Sequence, residues 1–108
     1  MLGVQSGGMG FGFDVGSFTQ SENGRTLTFG SPVKAFIQTG EFYFGNAYKK
    51  GVAVWVNGEG YAYASSSVST GTNSATTIAY SPTTDGNTIT IPSAFSRSGN
   101  TYKYIAFF

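Results

Sequence analysis

The feature that most constrains the fold is the alternation of apolar and polar residues in short segments. The segment RTLTF places Leu27 and Phe29 on one side of an extended chain, and TITI does the same with Ile89 and Ile91. No longer segment shows the 3.6-residue period of an amphipathic helix. The sequence therefore predicts an all-β chain.

Turn signals separate these segments at the spacing of an antiparallel sandwich. The dipeptide Asn-Gly, at residues 23–24 and again at 57–58, supplies the positive φ that tight hairpins need, and residues 81–87 combine proline with Asp-Gly in a turn. Residues 45–51 are assigned to a further loop. The pattern predicts an antiparallel β-sandwich or jelly roll of about eight or nine short strands.

The N-terminal residues 1–12 are rich in glycine, with large apolar side chains between the glycines. Disordered segments normally lack such side chains. We therefore predict a glycine-rich arm that docks on a neighbouring subunit through Met9, Phe11 and Phe13, the last at the start of a single domain formed by residues 13–108. A flexible arm with no docking site is the alternative.

The composition excludes much of the usual catalytic repertoire. The chain has no cysteine and no histidine, which rules out disulfides, thiolate or imidazole metal ligands and every catalytic triad with a histidine base. It contains five carboxylates, and the sequence places no two of them together as the acid pair of a glycosidase. We therefore predict a protein that is not an enzyme and that needs no cofactor or metal ion.

Charge and hydropathy narrow the choice of partners. Charged residues make up 10% of the chain and the basic ones are dispersed, so they form no stripe that would follow a phosphate backbone. The longest apolar runs, 52–56 and 104–108, are far shorter than the roughly 20 residues of a membrane-spanning helix. We expect neither nucleic-acid binding nor membrane insertion.

Aromatic residues make up 17% of the chain, and several of them lie in two successive predicted hairpins. The members of this group are Tyr43, Tyr48, Trp55, Tyr61 and Tyr63. If exposed, such flat rings can stack on sugar faces and bind glycans. The alternative is that they pair across strands and stabilise the sheet, as aromatic residues commonly do.

Apolar side chains on the predicted strands supply a candidate core. Its members are Leu27, Phe29, Phe36, Phe44, Val54, Trp55, Ile78, Ile89, Ile91 and Ile105. A second group, Ala53, Ala62, Ala64 and the serine run at residues 65–67, predicts a flat surface that another sheet or subunit can approach closely. The low content of charge leaves strand edges poorly protected, which favours assembly into a closed oligomer.

The C-terminal segment TYKYIAFF has the alternation of a strand. One face holds Tyr102, Tyr104, Ala106 and Phe108, and the other holds Lys103, Ile105 and Phe107. We predict that one face lines the core and that the other is covered by a sheet or a subunit. The four aromatic side chains of this segment are therefore candidates for an assembly interface.

Two parts of the chain resemble a small β domain of structural proteins in tailed bacteriophages. In that group a VGSFT…G opening precedes a short strand, a Gly-x-Pro segment leads into an apolar strand, and the domain closes on G-x-x-Y-x-Y-x-A-F. The matching positions here are Val15, Gly16, Ser17, Phe18, Thr19 and Gly24, then Gly30, Pro32, Val33 and Ile37, and finally Gly99, Tyr102, Tyr104, Ala106 and Phe107. Residues 41–80 lie outside the resemblance.

The resemblance implies a non-enzymatic structural component of the virion, either a head decoration (cement) protein or a small tail subunit of the tail-fibre type. It implies a homo-oligomer, with a trimer favoured, that docks on other virion proteins and needs no cofactor. The aromatic residues support the alternative of a receptor-binding or lectin-like module that recognises cell-surface glycans.

Overall fold

The computed structural model describes residues 12–44, 47–65 and 75–108, and these parts of the chain are almost entirely β. Their strands are β1 (Phe13–Thr19), β2 (Arg25–Thr28), β3 (Ala35–Phe44), β4 (Ala47–Val56), β5 (Glu59–Ser65), β6 (Ala75–Ala79), β7 (Thr83–Asp85), β8 (Thr88–Ile91) and β9 (Thr101–Phe107). One turn of 3-10 helix, η1 (Ser93–Phe95), lies between β8 and β9. The predicted all-β fold is confirmed, and the described residues form nine strands, within the predicted range of eight or nine.

The strands form two antiparallel sheets. The larger sheet has six strands in the order β1-β9-β3-β4-β5-β6, and the smaller sheet has three in the order β2-β8-β7. Every pair of neighbouring strands is antiparallel. The two sheets share one apolar core, so the predicted antiparallel sandwich is confirmed, with sheets of unequal size.

The C-terminal strand β9 lies inside the larger sheet, between β1 and β3. Its register pairs Ile105 with Val15 on one side and with Ile37 on the other. Tyr102 is buried in the core, whereas Phe107 is exposed on the opposite side of the sheet. The prediction that this segment is a strand with one face in the core is therefore confirmed.

The face of the larger sheet that points to the core, called the inner face here, pairs large side chains with small ones. Its buried members are Phe18, Phe36, Gln38, Phe42, Ala53, Trp55, Ala62, Ala64, Tyr102 and Ala106. Tyr104 lies directly opposite Gly16, where an added Cβ atom would come within 2.6 Å of the tyrosine hydroxyl oxygen. Close packing of this kind fixes the register of the strands.

An aromatic cluster joins the smaller sheet to the inner face near β9. Phe36 stacks on Tyr104 with ring centroids 5.4 Å apart, and Phe29, which follows β2, meets Tyr104 edge-on at 5.7 Å. Phe29 also contacts Phe108, with ring centroids 5.5 Å apart. The two isoleucines of β8 are fully buried and complete this half of the core.

A second cluster covers the inner face at β3 and β4. Phe95 of η1 meets Tyr80 edge-on at 4.8 Å and Phe42 at 5.9 Å. The Phe42 ring lies against Gly40 and Gly51, where added Cβ atoms would come within 2.5 Å and 2.8 Å of it. The single helical turn η1 thus carries one of the rings that close this half of the core.

The buried polar side chains have hydrogen-bond partners. The Tyr80 hydroxyl donates to Oε1 of Gln38, and Nε2 of Gln38 donates to Oγ of Ser96 at 3.2 Å. Burial strongly raises the pKa of Tyr80, because the ionised phenolate would lose its hydration. At the end of β1, Nε2 of Gln20 donates to the carbonyl of Pro92 at 3.2 Å. These bonds offset the cost of removing polar groups from water.

Several turn assignments are corrected by the strand pairing. Residues 21–24 form a turn, but it carries the chain from the larger sheet to the smaller one, because β1 pairs with β9 and β2 with β8. Residues 47–51 extend β4 and residues 83–85 form β7, since cross-strand pairing outweighs the local turn residues there. The hairpin at Asn57 and Gly58 is confirmed, with φ values of 51° and 98°.

The predicted core is confirmed in part. Phe36, Trp55, Ile89 and Ile91 are buried, and Leu27, Phe29 and Ile78 pack against them. Val54 and Ile105 instead lie half-buried on the opposite face, because the neighbours of inward-facing residues in a strand point outward. The side chain of Phe44 lies outside the described residues.

The small-residue group has a different role from the one predicted. Ala53, Ala62 and Ala64 are buried in the core of this chain, where their size makes room for the rings packed above the sheet. These three alanines are therefore core residues and do not form a surface for another subunit, while the side chains of the serine run lie outside the described residues.

Candidate interaction surface

The outer face of the larger sheet, opposite the core, carries a field of exposed apolar side chains. The large ones that are more than a third exposed are Phe13, Val15, Val52, Val56, Tyr61, Tyr63 and Phe107. Val15 is 61% exposed and Phe13 is 55% exposed. Single exposed apolar residues are normal in soluble proteins, whereas a contiguous group marks an interaction surface.

The register of the strands arranges the outer face in three rows. Row one holds Phe13, Phe107, Ala35, Val56 and Glu59; row two holds Val15, Ile105, Ile37, Val54, Tyr61 and Ala79; row three holds Ser17, Lys103, Thr39, Val52, Tyr63 and Thr77. Row two is apolar across all six strands. Since directly opposite side chains lie about 4.5–5.5 Å apart, the apolar field is continuous.

The field is large for an isolated domain. An aromatic side chain offers roughly 150–250 Å² and an aliphatic one less, so seven side chains that are about half exposed present roughly 600 Å². The largest apolar patch on a typical monomer is about 300–600 Å². The field therefore approaches the roughly 800 Å² that each partner buries in a standard protein–protein interface.

Charge is sparse in the three rows. Among their described residues the charged ones are Lys103 in row three and Glu59 in row one, and both are exposed. Lys103 lies between Ser17 and Thr39, and Glu59 lies opposite Val56. Covering most of this face therefore removes little charge from water.

A polar network closes the end of the sheet where β9 and β3 separate. The Tyr102 hydroxyl donates to Oε2 of Glu41 at 2.7 Å, and Nδ2 of Asn100 donates to the same oxygen at 2.9 Å. The bond from Tyr102, followed by that from Asn100, lowers the pKa of Glu41. The backbone N–H of Arg97 donates to the Tyr102 hydroxyl at 2.9 Å. This carboxylate thus ties the loop before β9 to β3, which is a structural role.

The predicted assembly residues are divided between the two faces. Phe13 and Phe107 lie on the outer face in row one, with 55% and 38% of their surface exposed. Met9 and Phe11 of the predicted arm lie outside the described residues, as does the side chain of Tyr43 from the aromatic group.

The prediction that the other aromatic side chains of the C-terminal segment lie at an interface is corrected, because the structure places them at the core. Tyr102 is buried, and Tyr104 and Phe108 are partly buried and pack against the core. These three alternate with the outward-facing residues of the same segment, so they point toward the smaller sheet.

The remaining candidates for glycan binding have different environments. Trp55 is 6% exposed, so it cannot stack on a ligand, and the expectation of an exposed tryptophan is corrected. Tyr48 is exposed, but the Arg97 guanidinium lies over its ring, 5.0 Å from the centroid. Tyr61 and Tyr63 are exposed side by side, with ring centroids 6.5 Å apart.

Sequence reasoning missed the outer-face valines Val15, Val52 and Val56. The run from residue 52 to 56 is apolar at every position, so its alternation does not show which side faces the core. A signal was present in residue size, because the small Ala53 alternates with valines. Small residues fit beneath packed rings, while β-branched ones cover an open sheet face.

Other kinds of site find no support in the described parts of the chain. Those parts hold no group of three or more acidic, histidine or cysteine side chains and no helix long and apolar enough to cross a membrane. Comparisons with protein-family models, curated proteins and solved structures find no match. The outer face is therefore the feature from which we argue function.

Proposed function

We propose that the protein is a non-enzymatic structural subunit that assembles with copies of itself through the outer face of its larger sheet. The observation that supports this is the apolar row two, which runs across all six strands and has further exposed apolar side chains beside it in rows one and three. Removing apolar surface from water contributes about 25 cal/mol per Å² to association. A field of this size thus provides a substantial driving force, against which the entropy of association must be set.

The inner face makes the sheet a firm support for such a contact. Its rings are closely packed, and the buried hydroxyl of Tyr80 is paired with Gln38. Side chains held on a well-ordered sheet lose little further freedom when they bind. Tyr61 and Tyr63 add the aromatic type of side chain that commonly dominates the binding energy of interfaces.

The resemblance to bacteriophage structural proteins suggests where such a subunit acts. We place it in the virion, as a head decoration or cement protein or as a small tail subunit, where it docks on other virion proteins. The resemblance by itself implies a homotrimer, and the mass of the assembly in solution distinguishes a trimer from a dimer.

Replacing an outer-face tyrosine tests the proposal. The variant Tyr61→Glu puts a charge in row two, and we expect self-association to weaken by at least about 30-fold, because a buried aromatic anchor commonly contributes about 2 kcal/mol or more. The variant Thr28→Glu is the matched control, since it adds the same charge at an exposed strand position of the smaller sheet. Sedimentation equilibrium over a wide range of concentration measures both.

Two outcomes contradict the proposal: a wild-type chain that stays monomeric at every concentration, and equal weakening by both variants. Thermal melting of each variant controls for folding.

Deleting residues 2–11 then tests the predicted docking of Met9 and Phe11. Weaker association supports the arm, while unchanged association limits the interface to the outer face.

Glycan binding is the second candidate, and the adjacent exposed rings of Tyr61 and Tyr63 favour it. Such a pair can stack on a sugar face. A panel of oligosaccharides in a thermal-shift assay tests it. A monomer whose melting temperature rises with one sugar, and does so less in Tyr61→Ser, supports glycan binding. An oligomer that no sugar affects supports assembly.

A further inference from the structure

We infer that the outer face makes a two-fold contact with a second copy of this chain, in which Lys103 of each copy pairs with Glu59 of the other. The inference rests on the proposed self-assembly and adds the symmetry and orientation of the contact. The observation behind the inference is the position of these two charges relative to rows one to three.

The two charges lie at opposite corners of the apolar field. Lys103 is in β9 and row three, while Glu59 is in β5 and row one, three strands and two rows away. With about 4.8 Å between strands and about 3.3 Å per residue, the offset is roughly 14 Å across the strands and roughly 13 Å along them. This separation is too great for a direct ion pair within one chain.

A two-fold axis in the plane of the interface exchanges these corners if it follows the perpendicular bisector of the line between them. That bisector crosses the centre of the field, between Ile37 and Val54 of row two. Because the two offsets are nearly equal, the axis runs at about 45° to the strands. The strands of the two copies then cross at about 90°, which is one of the two preferred arrangements of stacked sheets.

The same axis places apolar side chains against each other. It passes close to Phe107 in row one and Tyr63 in row three, so each of these rings meets its own copy in the partner. Rotation about this axis also brings Val56 close to Ile105 of the second copy. Apolar contacts therefore fill the centre, while the two ion pairs lie at the rim, where charge guides orientation.

The distribution of charge fits contact with a second copy better than contact with a strongly charged partner. The chain carries a net charge of +1, so two copies repel each other weakly. One patch that carries both signs of charge at opposite corners is self-complementary. Self-complementarity is the requirement for an isologous contact, whereas a ring of three joins two different patches.

Charge exchange tests the pairing. The single variants Lys103→Glu and Glu59→Lys should each weaken self-association by at least about tenfold, because each creates two like-charge contacts in a two-fold dimer. The double variant should recover to within about threefold of wild type. The control Lys50→Glu makes the same change of charge in β4, beyond the three rows, and should alter association by less than about threefold.

The outcomes separate the inference from the proposed function. A wild-type chain that associates, with a double variant as weak as the single ones, overturns the Lys103–Glu59 pairing and leaves self-assembly standing. A wild-type trimer overturns the two-fold contact in the same way. A wild-type monomer overturns both.

Cross-linking gives a second readout that does not depend on affinity. The chain has no cysteine, so single-cysteine variants react at one site. With a short thiol-reactive cross-linker, Phe107→Cys should give a covalent dimer because it lies near the axis. Val15→Cys is more exposed but lies far from the axis, and it should remain uncross-linked. The reverse pattern contradicts the proposed orientation.

Discussion

The two faces of the six-stranded sheet are both rich in apolar side chains, yet within the described chain only the inner one is covered. Phe36 on the inner face is fully buried, whereas Phe13 on the outer face is 55% exposed. The smaller sheet and η1 cover the inner face with aromatic rings, and the polar groups buried there are paired. The outer face therefore carries apolar side chains of the kind found in protein cores, but these side chains are exposed to solvent.

This difference separates folding from assembly. Side chains on the inner face stabilise each copy by itself, so their loss acts at every protein concentration. Side chains on the outer face add stability only when a second copy covers them, so their loss acts through association. Substitutions matched in chemistry on the two faces should therefore differ in size and in concentration dependence.

The largest contrast is expected between two phenylalanines of the larger sheet. Phe36→Ala removes a buried ring that stacks on Tyr104, and we expect a loss of about 3–5 kcal/mol in the free energy of unfolding. Phe13→Ala removes an exposed ring, and at concentrations where the chain is monomeric we expect a change below about 0.5 kcal/mol. Chemical denaturation measures both.

Protein concentration sharpens the contrast between these variants. As concentration rises, the deficit of Phe13→Ala relative to wild type should grow, because the wild type gains stability from association. The deficit of Phe36→Ala should already be large at the lowest concentration. Equal losses for the two variants at low concentration would mean that the outer face is not exposed in the monomer.

A smaller contrast is expected between two tyrosine hydroxyls. Tyr80→Phe removes the donor to Oε1 of the buried Gln38 and should cost about 1–3 kcal/mol, because the amide oxygen loses its partner. Tyr61→Phe removes an exposed hydroxyl and should change the free energy of unfolding of the monomer by less than about 0.5 kcal/mol. Denaturation at neutral pH measures the difference.

Alkaline pH tests the burial of the Tyr80 hydroxyl, although burial also raises the pKa of Tyr102 and Tyr104. Burial raises the pKa of Tyr80 above the ordinary value of 10.0, so above that pH the unfolded chain loses a proton that the folded chain keeps. Stability from this group is fully present below pH 10 and falls by about 1.4 kcal/mol per pH unit above it. Tyr80→Phe should show a shallower alkaline decline than wild type, and an unchanged slope would contradict this burial.

Alternation and turn residues were enough to predict most of the fold. The alternation of β8 gave its inward face correctly, the alternation of β9 gave its two faces without showing which one is inward, and Asn57-Gly58 gave the hairpin between β4 and β5. These features are local, since they depend on the period of the strand and on the positive φ of two residues.

The errors came mainly from non-local effects. The turn after β1 was expected to close a hairpin, but the partner of β1 is β9, at the other end of the sequence. Val54 and Trp55 were both assigned to the core, although adjacent residues in a strand point to opposite faces. Which face is covered depends on where the smaller sheet and η1 pack, and periodicity carries no information on that. The exposed outer face was therefore established only by the structure, although the size of Ala53 beside its valine neighbours was a signal for it in the sequence.

The most direct test of the account is a hydroxyl-radical footprint of the wild-type chain at low and high protein concentration. Tyr61 in row two and Tyr48 in the part of β4 beyond the rows are similarly exposed in one copy, at 51% and 43%. If the outer face is the contact between copies, the reactivity of Tyr61 falls as concentration rises, together with that of Val56 and Phe107, while Tyr48 changes little. Equal reactivity of Tyr61 at both concentrations, or equal protection of Tyr48, would contradict the central claim.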